Sequence, residues 1–159
     1  MSRALPPFQA FLDEHREPVW RFLVSTIGPG EAEDCFQDTF MAALRAYPRL
    51  RADSNLRAWV LTIAHRKAMD CYRSRARNPV PVAEPAAVED RSAAVPDPRD
   101  EALWEAVRGL PARQRSAVVL RYVGDLPHRE IAVAIGCSEP AARRSLHEGL
   151  LKLRKAVPS

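Results

Sequence analysis

The segment PHREIAVAIGCSEPAARRSLHEGLLKLRK, Pro127–Lys155, holds two helical patterns separated by Gly136 and Cys137. Glycine ends a helix because it accepts the left-handed conformation without a Cβ penalty, and Ser138 then restarts the pattern as an N-cap. The second helix carries Arg143, Arg144, Lys152, Arg154 and Lys155. Two short helices around a tight turn, the second of them basic, form the arrangement that lays side chains in a DNA major groove.

Upstream of this segment the apolar spacing is helical throughout. From Pro7 to Ile27, Phe8, Phe11, Leu12, Val19, Phe22, Leu23 and Ile27 recur at three- and four-residue steps. Pro18 interrupts the run, and an interior proline removes a backbone hydrogen bond, so a kink or two helices meeting near Glu17 are expected. Gly28-Pro29-Gly30 closes the segment. A helix opened by Glu31, Glu33 and Asp34 follows, with Phe36, Phe40, Ala43 and Leu44 along it, until Pro48 stops it. Ser54 is the expected N-cap of a long helix through Trp59, Ile63 and Met69 to about Arg77, whose last turns are nearly all basic. Beyond Asp97-Pro98 one helix is expected with Leu103, Ala106, Val107 and Leu110 inside, and another with Val118, Val119, Leu120 and Tyr122 inside.

Between the two basic helices, Pro79–Pro98 has five prolines and the acids Glu84, Glu89, Asp90 and Asp97 against Arg91 alone. Too few large apolar residues are present to form a core, which predicts a flexible, semi-extended acidic linker reaching at most about 60 Å. The fold expected is all-α: two small helical domains, residues 1–78 and 98–159, joined by the linker at 79–97.

A formal charge of +4 and a pI near 9.3 suit a polyanionic partner. The three cysteines, Cys35, Cys71 and Cys137, show neither C-x-x-C nor Cys/His ligand spacing, so they are expected as small, reduced core residues and not as a metal site or disulfide framework. His15, His65, His128 and His147 have no nucleophile or ligand partner in the pattern, and surface or capping roles are expected for them. No catalytic residues, metal or cofactor are therefore assigned. No apolar run reaches the roughly 18 residues of a membrane span, and Met1–Pro7 lacks a secretory core, so a soluble, cytoplasmic protein is expected without membrane insertion or a small-molecule substrate.

Three stretches carry a family resemblance: EAEDCFQDTFMAALRAY at Glu31–Tyr47, NLRAWVLTIAHRKAMDCYRSR at Asn55–Arg75, and the segment from Leu110 to Leu153. In order and spacing they resemble an extracytoplasmic-function (ECF) sigma factor, the bacterial transcription-initiation subunit made of a region 2 helical bundle, a linker and a region 4 helix-turn-helix. The resemblance implies that the chain binds core RNA polymerase, recognises minus-ten and minus-thirty-five promoter DNA and helps open it. It also implies an anti-sigma factor as partner.

Carried onto this sequence, the resemblance nominates Asp34, Gln37, Asp38 and Thr39 as exposed polymerase contacts. For the minus-ten region it nominates Arg49, Arg51 and Asn55 in the loop, where a flipped base would be captured, and Arg66, Lys67, Arg73, Arg75 and Arg77 on the helix. For the minus-thirty-five region it nominates Arg129, Ser138, Glu139, Arg143, Arg144 and His147. Ser138 is read primarily as a cap and Trp59 primarily as a core residue. The chain departs from the family pattern at Arg66, where asparagine is common. It departs again at Ala142, at Ser145 and at Glu148–Leu151, where a basic run is usual. A free-standing helix-turn-helix repressor is the rival reading, but nothing resembles its dimerisation helix or ligand pocket.

Overall fold

The computed structural model describes residues 4–77 and 98–157. The acidic linker expected at 79–97 lies outside the described residues. Seven α-helices are present among those described: α1 Phe8–Ile27, α2 Pro29–Ala46, α3 Leu56–Arg77, α4 Pro98–Arg108, α5 Ala112–Tyr122, α6 His128–Ile135 and α7 Glu139–Ala156. A single 3-10 turn, Tyr47–Arg49, follows α2.

Helices α1 to α3 form one three-helix body. Phe11, Val19, Phe22 and Leu23 of α1 meet Ala32, Phe40 and Ala43 of α2 and Val60, Ala64 and Ala68 of α3, all buried. Where α1 meets the end of α2, Phe8, Phe11, Phe40, Tyr47 and Trp59 pack ring against ring, with Phe11 and Trp59 centroids 5.7 Å apart. Trp59 is thus a core residue. Tyr47 anchors the chain entry as well, its hydroxyl donating to the Pro6 carbonyl.

The kink expected at Pro18 is absent: α1 is one unbroken helix with Pro18 inside it. His15, Val19 and Phe22 on its buried side hold both halves against the same neighbours, and that packing outweighs the one backbone bond proline removes. The Gly28-Pro29-Gly30 break is also shorter than expected. Gly28 alone leaves the helical path, at φ +86°, and Pro29 and Gly30 already form the first turn of α2, where proline lacks only an N–H that would be unpaired anyway.

Helices α4 to α7 make the second body. Val107, Leu110, Val119, Leu120, Leu126, Ile131, Leu146 and Leu153 are its buried side chains. Gly136, left-handed at φ +82°, ends α6, with its own N–H and that of Cys137 both donating to the Ala132 carbonyl. Ser138 then caps α7, its Oγ accepting from the Ala141 N–H at 3.2 Å. Gly149 lets α7 lie close to α5, because a Cβ there would stand 3.0 Å from Val118 Cγ2. The departure from the family's basic run is therefore partly a packing solution.

The two bodies are in contact, with α3 against α6 and α1 against α4 and α5. Arg57 Nε donates to the Gly124 carbonyl at 2.8 Å, and His65 Nε2 lies 2.9 Å from Ser116 Oγ. The Arg115 guanidinium sits 4.2 Å from the Tyr72 ring centroid and donates to the Arg108 carbonyl. A Cβ on Gly124 would stand 3.0 Å from Leu61 Cδ1.

Candidate nucleic-acid interface

Helix α7 is divided lengthwise. Ala142, Ser145, Leu146, Gly149 and Leu153 are buried, a three- and four-residue repeat that turns the opposite side outward. On that outer side Glu139, Arg143, Arg144 and His147 are exposed within two turns of the helix start. Glu139 and Arg143 are already paired, at 2.9 Å. Arg129 is exposed at the start of α6, and Ser138 serves as the cap. The structure thus brings the residues nominated for the minus-thirty-five region to one surface.

His128, for which only a surface or capping role is expected from the sequence, lies near Arg143 and Glu139 of this surface. Burial first, then the charges of Arg143 and Arg121, hold its pKa below the usual histidine value, while Glu139 opposes. The signal was available in its place at the first position of α6, opposite the start of α7.

The residues nominated for the minus-ten region do not form one cluster. Arg49, Arg51 and Asn55 precede α3, whereas Arg73, Arg75 and Arg77 lie at its far end, about 30 Å away along a helix of this length. Several are engaged. Asn55 Oδ1 accepts from the Ala58 N–H at 3.1 Å, which makes Asn55, and not Ser54, the side chain that caps α3. Arg73 stands 3.5 Å from Asp70, and Arg75 is ion-paired with Glu31. Arg66 and Arg77 are exposed, while Lys67 is half-buried. Arg66, Met69 and Arg73 line one wall of a groove of about 400 Å³ whose other wall is the end of α6, Val133 to Ile135, with Gly136.

On α2, Asp34, Gln37 and Asp38 are exposed as expected, but Thr39 is not. It is fully buried, with its hydroxyl donating to the Cys35 carbonyl at 2.6 Å. A helix turns about 100° per residue, so Thr39 falls on the stripe of Ala32, Cys35 and Ala43 that faces the core. Leu44, next to the buried Ala43, is 54% exposed, beside Met41 at 53%. Asp34, Gln37, Met41 and Leu44 form one outward row with two uncovered apolar side chains.

The expected surface or capping role fails for two histidines, since His15 and His65 are both buried. Burial, with Arg66 and Arg115 adding like charge, drives His65 down to about 4. Among the described residues no group of His, Cys, Asp and Glu is arranged to hold a metal ion, and no helix is long and apolar enough to cross a membrane.

Residues 11–78 match the model of sigma-70 region 2, and residues 100–153 that of sigma-70 region 4. The RNA polymerase sigma factor CarQ of Myxococcus xanthus is 30% identical over 94% of this chain and 88% of its own length. The chain belongs to the ECF family of RNA polymerase sigma factors. SigC of Mycobacterium tuberculosis, an ECF sigma factor, is 31% identical over 81% of this chain and 71% of its own length. Among solved structures, the sigma factor RpoE in complex with the anti-sigma factor NepR from Bartonella quintana superposes at a TM-score of 0.78 with 24% identity, covering 94% of this chain and 95% of that one. CnrH in complex with the cytosolic domain of CnrY superposes at 0.69 with 22% identity, over 93% and 85% of the two chains. These two likenesses carry the fold. This sigma factor is accordingly an all-α transcription-initiation protein with a region 2 and a region 4.

Proposed function

We propose that this ECF sigma factor, a non-enzymatic cytoplasmic protein, engages core RNA polymerase through the outward row of α2, with Asp34, Gln37 and Asp38 as polar contacts and Met41 and Leu44 as apolar ones. Arg143, Arg144 and His147, with Glu139 orienting Arg143, read the minus-thirty-five element from the first turns of α7, where geometry brings side chains nearest base edges. Arg129 and Ser138 position the backbone there. Arg49, Arg51 and Asn55 form the capture loop for the minus-ten element, and Arg66, Lys67, Arg73, Arg75 and Arg77 follow its phosphates. An anti-sigma factor is the expected inhibitor, as RpoE was solved with the anti-sigma factor NepR. Region 2 is taken as 1–78, the linker as 79–97 and region 4 as 98–159.

The observation that carries this reading is the contact between the two bodies. Promoter elements centred about 25 base pairs apart lie roughly 85 Å apart along B-DNA at about 3.4 Å per pair. In the packed form α3 and α7 are separated by little more than α6, on the order of 20 Å at ordinary helix spacings. The packed form therefore touches one element at a time, and reading both requires polymerase to hold the bodies apart. A gel-shift experiment tests the reading: the chain alone should bind promoter DNA weakly, and strong, sequence-specific binding should appear with core polymerase. Tight specific binding by the chain alone, unchanged by polymerase, would instead support a free-standing repressor.

A further inference from the structure

Cys35 on α2 and Cys71 on α3 meet across the contact between those helices. The Cys35 thiol reaches over to donate to the Lys67 carbonyl of α3 at 3.8 Å. One turn beyond Lys67, the Cys71 thiol reaches the other way and donates to the Glu31 carboxylate, one turn before Cys35. These crossed contacts set both thiols in one seam, each turned toward the helix that carries the other. Cys35 is buried, Cys71 is half-exposed, and both are free thiols. The Glu31 carboxylate also holds Arg75 in an ion pair.

We propose that Cys35 and Cys71 are a thiol pair that closes into a disulfide between α2 and α3 when a hydroperoxide reaches it, and that Glu31 is the carboxylate that keeps the pair reduced at rest. Cys71, the more accessible, reacts first. Its thiolate sulfur attacks one peroxide oxygen, the O–O bond breaks, hydroxide leaves and is protonated to water, and a sulfenic acid remains on Cys71. The Cys35 sulfur then attacks the Cys71 sulfur as it loses its own proton. The S–O bond breaks, and the departing hydroxide takes that proton as a second water. Two thiols and one hydrogen peroxide give one disulfide and two waters, with both sulfurs oxidised and the peroxide reduced.

Only a thiolate attacks peroxide, so the environment sets the threshold. Burial first, and then the hydrogen bond to Glu31, push Cys71 up to about 12, and burial raises Cys35 as well. The pair is consequently slow at neutral pH, and its oxidation should quicken by about tenfold per pH unit between roughly pH 7 and 10. Glu31 thereby acts as a guard: removing its charge lowers the barrier to forming the thiolate.

The test uses the full chain with hydrogen peroxide as the oxidant, followed by alkylation, peptide mapping and intact mass. Cys35 and Cys71 should lose alkylatable thiol together while the mass falls by two hydrogens, and reduction should restore both; Cys137, in the other body, should stay alkylatable. Cys35→Ser should stop at a dimedone-trappable sulfenic acid on Cys71. Glu31→Gln should speed disulfide formation by about three- to tenfold, allowing for the weaker nucleophilicity of a less basic thiolate. Arg75→Ala separates charge from loosened packing. It leaves Glu31 unneutralised and should slow the reaction, whereas mere loosening would speed it in both variants. Independent loss of the two thiols without the two-hydrogen species would overturn the pairing. Equal or slower oxidation in Glu31→Gln, or faster oxidation in Arg75→Ala, would overturn the guard.

Discussion

Helices α3 and α7 both carry a run of arginines, yet they stand differently in the molecule. The buried stripe of α7 runs along its length and packs within its own body, so Arg143, Arg144 and His147 are turned outward and exposed. Helix α3 is covered twice. Val60, Ala64 and Ala68 bury it against α1 and α2, while Arg57, Leu61 and His65 hold it to the second body. Of its basic side chains, Arg73 and Arg75 answer acids of the same body. The surface proposed for the minus-thirty-five element is therefore ready in the packed form, whereas the one proposed for the minus-ten element shares its helix with the contact between the bodies.

The largest way to break that asymmetry is acid. His65 titrates near 4 in the packed form and would return towards 6.5 once exposed. The open form then binds more protons between those values, so the contact is intact above about pH 6.5 and weakens as pH falls towards 4. A difference of that size corresponds to about 3 kcal/mol. Fluorescence transfer between the bodies should fall over that window in the wild type, and His65→Gln should flatten the dependence; the same pH profile in both proteins would remove His65 from the latch.

Next in size is Gly149→Val. With Val118 Cγ2 3.0 Å from the position of a Cβ, the substitution should push α7 off α5 at a cost of about 2 kcal/mol. Thermal unfolding should show the second body weakened, with α1 to α3 unaffected. A smaller effect is expected from Arg143→Ala, which should reduce discrimination at the minus-thirty-five element by about 1 kcal/mol, within the range of a single base-reading side chain. Run-off transcription on a promoter library checks it, and unchanged selectivity would reassign the reader. Gln37→Ala should instead lower output on all promoters alike. Smallest is Arg73→Ala, expected to reduce the salt slope of minus-ten binding by about 0.7 to 0.9, measured by titrating salt in the polymerase complex.

The helices themselves were legible because each has a long apolar stripe and a clear stop, as with Gly136 and Ser138 around the helix-turn-helix. The failures have a common cause in contacts distant along the chain. Pro18 reads as a break only if local hydrogen bonding is weighed without the buried residues on either side of it. His65 reads as a surface residue because Ser116 lies 51 positions away. Tyr122, expected inside, is 64% exposed, at the last turn of α5. Thr39 shows the opposite limit: a sequence motif is contiguous, but a helix face is not, and the neighbour of an exposed Asp38 belongs to the core. The packing of the two bodies left no periodic signal, since Arg57, His65, Arg115 and Gly124 are single residues in otherwise ordinary stripes.

On the proposed reading, core polymerase separates two bodies that pack together in the free chain. Donor and acceptor dyes on two exposed positions, Arg16 of α1 and Lys152 of α7, should report high transfer in the free protein and a separation longer by tens of ångströms once core polymerase is added. A distance that stays the same in the active promoter complex would contradict the account.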